Sequence, residues 1–178
     1  IIDSDLTSQG ENQTPMVWQQ GRLYLWRYWY YEKLLTTHIN QRLNTQLAIP
    51  DDLSARLNEL FKDNNESPDW QKIACAIATR TAFSIITGGP GTGKTTTVIR
   101  LLALLQSPAV KAGKPLNIQL AAPTGKAAAR LTESIGKQVA SLMIDEDVRD
   151  YIPVTVSTLH RLLGSRPDTR HFIHNKTN

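Results

Sequence analysis

Eight consecutive residues, Gly88-Gly89-Pro90-Gly91-Thr92-Gly93-Lys94-Thr95, match the pattern G-x-x-x-x-G-K-[ST] at every fixed position. Glycines at this density let the backbone turn its N–H groups inward onto phosphate oxygens, with no side chain in the way. A helix that starts near Lys94 points the positive end of its dipole at the same anion. Lys94 is then placed to reach the β- and γ-phosphates, and the Thr95 hydroxyl to ligate Mg²⁺. The candidate nucleotide-binding residues are Gly88, Gly89, Pro90, Gly91, Thr92, Gly93, Lys94, Thr95 and Thr96, with Lys94 and Thr95 as the catalytic pair and Thr95 as metal ligand. The implied ligand is ATP or a close relative, with Mg²⁺. A glycine-rich turn serving packing alone is set aside, because the whole octad and both its flanks fit.

The flanks read as strand before the loop and helix after it. Ala82-Phe83-Ser84-Ile85-Ile86-Thr87 is a short apolar run bounded by glycine, which suits a buried strand of a parallel sheet. Thr96 to Leu105 has helical capacity, and a polar interruption from Ser107-Pro108 to Pro115 ends it. Asn117-Ile118-Gln119-Leu120-Ala121-Ala122 reads as a second strand. It runs into Pro123-Thr124-Gly125-Lys126 and then a small-residue helix carrying Ala127, Ala128, Ala129, Arg130, Leu131, Ile135 and Val139. That order makes a right-handed βαβ crossover. Upstream, Ser67-Pro68-Asp69 is a helix start: the serine caps, the proline needs no N–H bond, and the acid favours the dipole. Its helix is expected to turn Ile73, Ala74, Ile77 and Ala78 inward.

Toward the N-terminus, residues 1–15 are polar and aperiodic and predict a loosely packed arm. Met16-Val17-Trp18 and Arg22-Leu23-Tyr24-Leu25 flank a glycine-containing turn and predict a β-hairpin. From Trp26 the spacing turns helical, with one face through Trp26, Tyr30, Tyr31, Leu34, Leu35, Ile39 and Leu43. The aromatic cluster (Tyr24, Trp26, Tyr28, Trp29, Tyr30, Tyr31) reads first as the packing of a small satellite domain; a base-stacking platform or partner surface is the alternative. Pro50-Asp51-Asp52 opens an amphipathic helix with Leu53, Leu57, Leu60 and Phe61 on one side, and Lys62-Asp63-Asn64-Asn65-Glu66 is the linker candidate. The expected organisation is an N-terminal segment over 1–66, a hairpin plus helices, followed by an α/β P-loop domain over 67–178.

Length and composition agree with this. The chain has 178 residues, 40% hydrophobic and 20% charged, which is the ordinary globular range. Its apolar runs fall far short of the roughly 20 residues that cross a bilayer. The N-terminus carries no leader pattern and does not begin with Met, so the chain reads as a piece of a longer protein. A single cysteine, Cys75, excludes an internal disulfide or a cysteine metal cluster and fits a small core position in a reducing cytoplasm. The net charge of +4 is uneven. From Gln71 to Ile144 nine basic residues face one acid, Glu133, so that stretch carries +8 and the remainder −4. A polyanionic partner or simply solvated lysines would each account for this.

The loop and the segments after it resemble a known family. Gly88 through Thr97 looks like motif I of superfamily-one DNA helicases. Leu120-Ala121-Ala122-Pro123-Thr124-Gly125-Lys126-Ala127-Ala128-Ala129-Arg130-Leu131 is similar to their motif Ia, and Ser157-Thr158-Leu159-His160-Arg161-Leu162-Leu163-Gly164 to motif Ib. Within the superfamily the resemblance is to the RecD-type branch, from about Thr14 to Gly164. It implies a RecA-like parallel sheet, incomplete in this chain, and a motor that couples ATP hydrolysis to movement on single-stranded DNA. It also implies partner helicase–nuclease subunits in a heterotrimer, a bacterial cytoplasmic setting, and no membrane. Gln71 matches the glutamine that reads adenine in such helicases; an amide can both donate and accept, which suits that base edge. Pro123, Thr124, Lys126, Thr158 and His160 match positions that lie along single-stranded DNA. Without the resemblance, Gln71 would be a surface amide and His160 a core or capping histidine. His38, His160, His171 and His174 have no convincing metal-ligand spacing.

Hydrolysis also requires a carboxylate pair at the end of a further strand and an arginine finger. Leu142-Met143-Ile144-Asp145-Glu146 imitates such a pair but follows a helix without a turn to start a strand, and in the family the box comes after motif Ib. The expectation is therefore that the chain alone neither hydrolyses ATP efficiently nor unwinds DNA. A relaxase-type helicase and a docking domain that merely binds nucleotide remain open readings. An AAA-type remodeller is disfavoured on Gln71 and the string from Pro123 to Leu131.

Overall fold

The computed structural model describes residues 6–10, 14–61, 68–169 and 171–175. The chain divides into two compact units, residues 1–47 with 81–83 and residues 48–80 with 84–178. In the first, β1 (Thr7–Ser8) runs parallel to β2 (Met16–Gln19), which pairs antiparallel with β3 (Arg22–Leu25). Gln20 and Gly21 connect the hairpin with φ of +49° and +75°, the conformation whose twist matches the flanking strands. The hairpin is thus as expected, but the arm is not merely loose: β1 joins the sheet, and the Thr14 hydroxyl donates to the Met16 carbonyl at 2.7 Å.

The helix α1 (Trp26–Leu43) follows directly. Trp29 is its one buried residue among those described, with Nε1 donating to Gln19 Oε1 at 2.8 Å. Trp26 stacks on Tyr30 at 4.9 Å, while Tyr28, Tyr30, Tyr31, Leu35 and Leu43 are exposed. Packing therefore accounts for Trp29 and only part of the aromatic cluster. Five of the six rings lie on α1, at positions 26 and 28–31, and so point all round the helix, only one side of which meets the hairpin.

The second unit is built on helices α2 (Leu53–Leu60), α3 (Trp70–Ala78), α4 (Lys94–Lys111) and α5 (Gly125–Ser141). The short α6 (Glu146–Arg149) and α7 (Leu159–Leu163) complete it, with the parallel pair β4 (Leu120–Ala122) and β5 (Val156–Thr158). The unit is therefore α/β with a small parallel sheet. Its helix α2 buries Leu53 and Leu57 and packs on α3 and α4, whereas the sequence reading ends the N-terminal segment at 66. The linker candidate at 62–66 and the capping role given to Ser67 lie outside the described residues.

Helix α3 begins two residues later than expected. Asp69 is its N-cap, accepting from Lys72 N at 3.0 Å, and Pro68 lies outside the helix. Its inward face agrees in part: Cys75 and Ala78 are buried as expected, whereas Ile73 and Ile77 are exposed. The small Cys75 lets α3 approach α4 closely, with Sγ 3.3 Å from the Thr97 carbonyl. Burial pushes this thiol up to about 12; Arg100 acts in the opposite direction and Asp69 in the same one.

Two further expectations are corrected. The run 82–87 is not a strand, and Ile85 is 74% exposed. An apolar run becomes a strand only by pairing, and β4 and β5 pair with each other; the βαβ crossover expected from 82–87 through the loop and α4 to β4 is accordingly not formed. Helix α4 also runs through Pro108 rather than stopping at Ser107. It ends in a Schellman turn at Gly113, where Gly113 N donates to the Val110 carbonyl and Lys114 N to that of Ala109, both at 2.9 Å. As anticipated, Leu142–Ile144 forms no strand before Asp145.

Ile99, Leu102 and Ala103 of α4 share one buried cluster with Ala122, Ala128, Ile135, Val139, Ile152 and Val156. Leu104 joins a second with Leu53, Leu57, Phe61 and Cys75. Further along α4, Gln106 is fully buried and its amide is bonded at both ends. Its Nε2 donates to the carbonyls of Leu116 and Tyr151, each at 3.0 Å, and its Oε1 accepts from Leu116 N at 2.9 Å. Gln106→Leu leaves those backbone groups without partners and is expected to cost about 2–4 kcal/mol in urea unfolding; a loss below about 0.5 kcal/mol would contradict this role. A second measurement concerns Cys75. From about pH 9 to about 12 the unfolded chain has given up a thiol proton that the folded chain keeps, so this group makes stability fall as pH rises through that window. Unfolding free energy in this range should fall less steeply for Cys75→Ala than for the unaltered chain.

Candidate functional site

The phosphate-loop octad ends on the first turn of α4. Gly93 is the N-cap residue at φ +77°, ψ 22°, a left-handed conformation that L side chains rarely adopt. A Cβ there would also lie 2.5 Å from Gln71 Nε2. The left-handed backbone is what calls for glycine at this position, and a side chain there would in addition displace the Gln71 amide. The Gln71 Nε2 donates to the Thr92 carbonyl at 3.2 Å, so a residue 21 positions upstream is brought onto the loop.

Within the loop, the Thr92 hydroxyl donates to the Gly89 carbonyl at 2.9 Å. Lys94 folds back over the turn, and Nζ donates to the carbonyls of Gly88 at 2.6 Å and Gly89 at 2.5 Å. These contacts hold a cation at the mouth of the loop, where the helix dipole is also positive, and the combination can take up an anion. Gly88, Gly89, Pro90, Gly91 and Thr92 are exposed; Lys94, Thr95 and Thr96 are half-buried. The three threonines after Lys94 differ in their surroundings. The Thr97 hydroxyl is buried and donates to the Gly93 carbonyl at 3.0 Å. The Thr96 hydroxyl turns to α5 and donates to Gln138 Oε1 at 2.7 Å. Thr95 takes no part in these bonds.

The second group of expected residues gathers at the carboxyl ends of β4 and β5, which run parallel with Ala122 opposite Thr158. Thr124 caps α5 by accepting from Ala127 N at 3.2 Å, and Thr158 caps α7 by accepting from Arg161 N at 3.3 Å. Pro123, Thr124 and Lys126 are exposed, and a shallow groove of about 390 Å³ is lined by Thr124, Lys126, Ala127, Arg130 and Leu131. His160 is exposed, its ring edge-on to Phe172 at 5.8 Å, and is neither a core nor a capping residue. Strand ends, capped helix starts and two basic side chains make a surface suited to phosphates.

Sequence reasoning overlooked Gln138, Gln106 and the Cys75–Thr97 contact. No local signal announces them, since each bond joins residues far apart in the chain. Among the described residues no group of three or more His, Cys, Asp or Glu could hold a metal ion, and no helix is long and apolar enough to cross a membrane. Gly93→Ala is expected to cost about 1–3 kcal/mol of stability, from the left-handed backbone and the displaced Gln71. Chemical denaturation would measure it, and Gly93→Ala with Gln71→Ala should recover part of the loss; equal losses in both would refute the steric component.

Residues 71–178 match the family model described as an AAA domain. The RecD subunit of the RecBCD enzyme from Haemophilus influenzae is 43% identical over 157 residues, covering 84% of this chain and 24% of that protein. Its counterpart from Mycolicibacterium smegmatis is 44% identical over 160 residues, covering 88% and 27%. An ATP-dependent RecD2 DNA helicase from Deinococcus radiodurans is 41% identical over 83 residues, covering 47% and 8%. The chain thus spans about a quarter of the length of the RecD relatives it matches. The AAA match starts at Gln71 and takes in the phosphate loop and the whole Pro123–Leu131 string. With the phosphate loop inside the matched region and RecD-like sequence over most of its length, this chain belongs to the AAA domain family.

Proposed function

We propose that the second unit is the nucleotide-binding first part of a RecA-like helicase motor, taking ATP with Mg²⁺. The observation that carries this reading is the convergence of Gln71 and Lys94 on one glycine loop, by way of the Thr92 and Gly88–Gly89 carbonyls. Gly88 to Gly93 would surround the phosphates with backbone N–H groups, Lys94 would neutralise them, and Gln71 would present its amide to adenine. Thr95 and Thr96 open the helix whose dipole faces the anion. The hydroxyl of Thr95 is the natural magnesium ligand; the ion, when bound, neutralises charge on the β- and γ-phosphate oxygens.

Single-stranded DNA would run along the ends of β4 and β5, with its backbone on Pro123, Thr124, Lys126, Thr158 and His160. Exposed cap turns and the basic excess between Gln71 and Ile144 support this placement. In the intact protein, hydrolysis would drive translocation in double-strand-break repair and recombination, as the alpha-type subunit of an exodeoxyribonuclease V heterotrimer in the bacterial cytoplasm. The RecD names of the relatives support that assignment.

Fluorescent nucleotide titration tests the binding half. Lys94→Ala should weaken Mg·ATP binding about 10- to 100-fold, the worth of a hydrogen bond to a charged group. Gln71→Ala should erode the preference for ATP over GTP. ATP hydrolysis by the full-length protein tests the motor half: absence of stimulation by oligodeoxythymidine would refute it.

A further inference from the structure

Helices α4 and α5 meet through apolar side chains, Ile99 on one and Ile135 and Val139 on the other. One polar link joins them at the phosphate-loop end of α4. The Thr96 hydroxyl donates to Gln138 Oε1 at 2.7 Å, and Gln138 Nε2 donates to Ser134 Oγ at 3.2 Å. Gln138 thus has one contact on the first turn of α4 and one on its own helix. All three side chains are partly buried, and a polar group in such a place costs stability when its partner is removed.

We infer that Gln138 is a positioning residue for the magnesium-nucleotide site. Apolar packing is non-directional and would let α4 turn or slide by a fraction of an ångström against α5. A hydrogen bond to Thr96 has a preferred distance and direction, and it fixes the rotation of the turn that carries Lys94 and Thr95. Thr96 and Thr95 are adjacent on a helix, so their side chains diverge by about 100°. Holding Thr96 against α5 therefore sets the direction in which Thr95 projects. The link also means that a displacement of α5, whose other end begins at the Thr124 cap, reaches the phosphate turn directly. Gln138 touches no ligand in this arrangement; it acts through Thr96.

The inference rests on the nucleotide reading of the loop, and the test separates the two. Mg·ATP and Mg-free ATP are titrated against the unaltered chain, Gln138→Leu, Thr96→Ser, and the double variant Thr96→Val with Gln138→Leu. Gln138→Leu should weaken Mg·ATP binding about 5- to 10-fold and Mg-free ATP distinctly less. Thr96→Ser keeps the hydroxyl and should bind Mg·ATP within about twofold of the unaltered chain. The double variant removes both polar partners, so its thermal stability should stay close to that of the unaltered chain while Mg·ATP binding remains weakened. A double variant with normal stability and normal Mg·ATP affinity would overturn the positioning role. Failure of the unaltered chain to bind Mg·ATP at all would instead overturn the nucleotide reading, and the inference with it.

Discussion

Burial of α4 on two sides is the constraint on which the second unit depends. Ile99, Leu102 and Ala103 face one apolar cluster and Leu104 another, so the helix is enclosed over its middle turns. A helix held in this way has little freedom to tilt, and its N-terminus points where the packing directs it. The phosphate loop inherits that direction, because Gly93 is the N-cap and Lys94 the first helical residue. Gln106 reinforces the arrangement from within. Buried and bonded to Leu116 and Tyr151, it ties the helix to the approach to β4 and to the segment that precedes β5. A single buried amide thereby links the element carrying the phosphate loop to both strands that carry the second candidate surface.

Close approach is achieved by small residues at two levels of the same assembly. Cys75 lets α3 reach the backbone of α4 at Thr97, and Gly93 leaves room for Gln71. Gln71 and Cys75 are one turn apart on α3, so both contacts follow from seating that helix once. Pulling Cys75 into the core brings Gln71 onto the loop, at the expense of exposing Trp70, Ile73 and Ile77 on the opposite side. The raised thiol pKa is the electrostatic trace of that burial.

Local signals were legible in the sequence, and signals that depend on a partner were not. The octad, the hairpin turn at Gln20-Gly21, the apolar face of α2 and the small-residue helix after Pro123-Thr124 each depend on a few neighbouring residues, and each is found where expected. The run 82–87 has the composition of a buried strand, but composition supplies no hydrogen-bonding neighbour, and it remains unpaired. The inward face of α3 is legible in part: Cys75 and Ala78 are buried as expected, whereas Ile73 and Ile77 are exposed. Close packing against α4 selected the small ones. Pro108 reads as part of a stop, yet the helix continues through it to the turn at Gly113. Gln71 was legible only through resemblance; an isolated glutamine carries no signal until a structure shows where its amide goes.

Three consecutive threonines after the loop lysine show why a motif match alone underdetermines a site. Thr95, Thr96 and Thr97 are chemically identical, and the phosphate-loop pattern specifies only the first. Helical geometry sends them in directions about 100° apart, toward three different environments. Thr97 closes a bond to the Gly93 carbonyl inside the core, and substitution there would act on the loop's own curvature. Thr96 faces α5 and binds its amide. Thr95 is left on the side where neither helix supplies a partner through these bonds, which is the side a ligand can use. The sequence reading places Thr96 with the nucleotide-binding residues. Its hydroxyl is bonded to the neighbouring helix, on the same turn that carries Thr95.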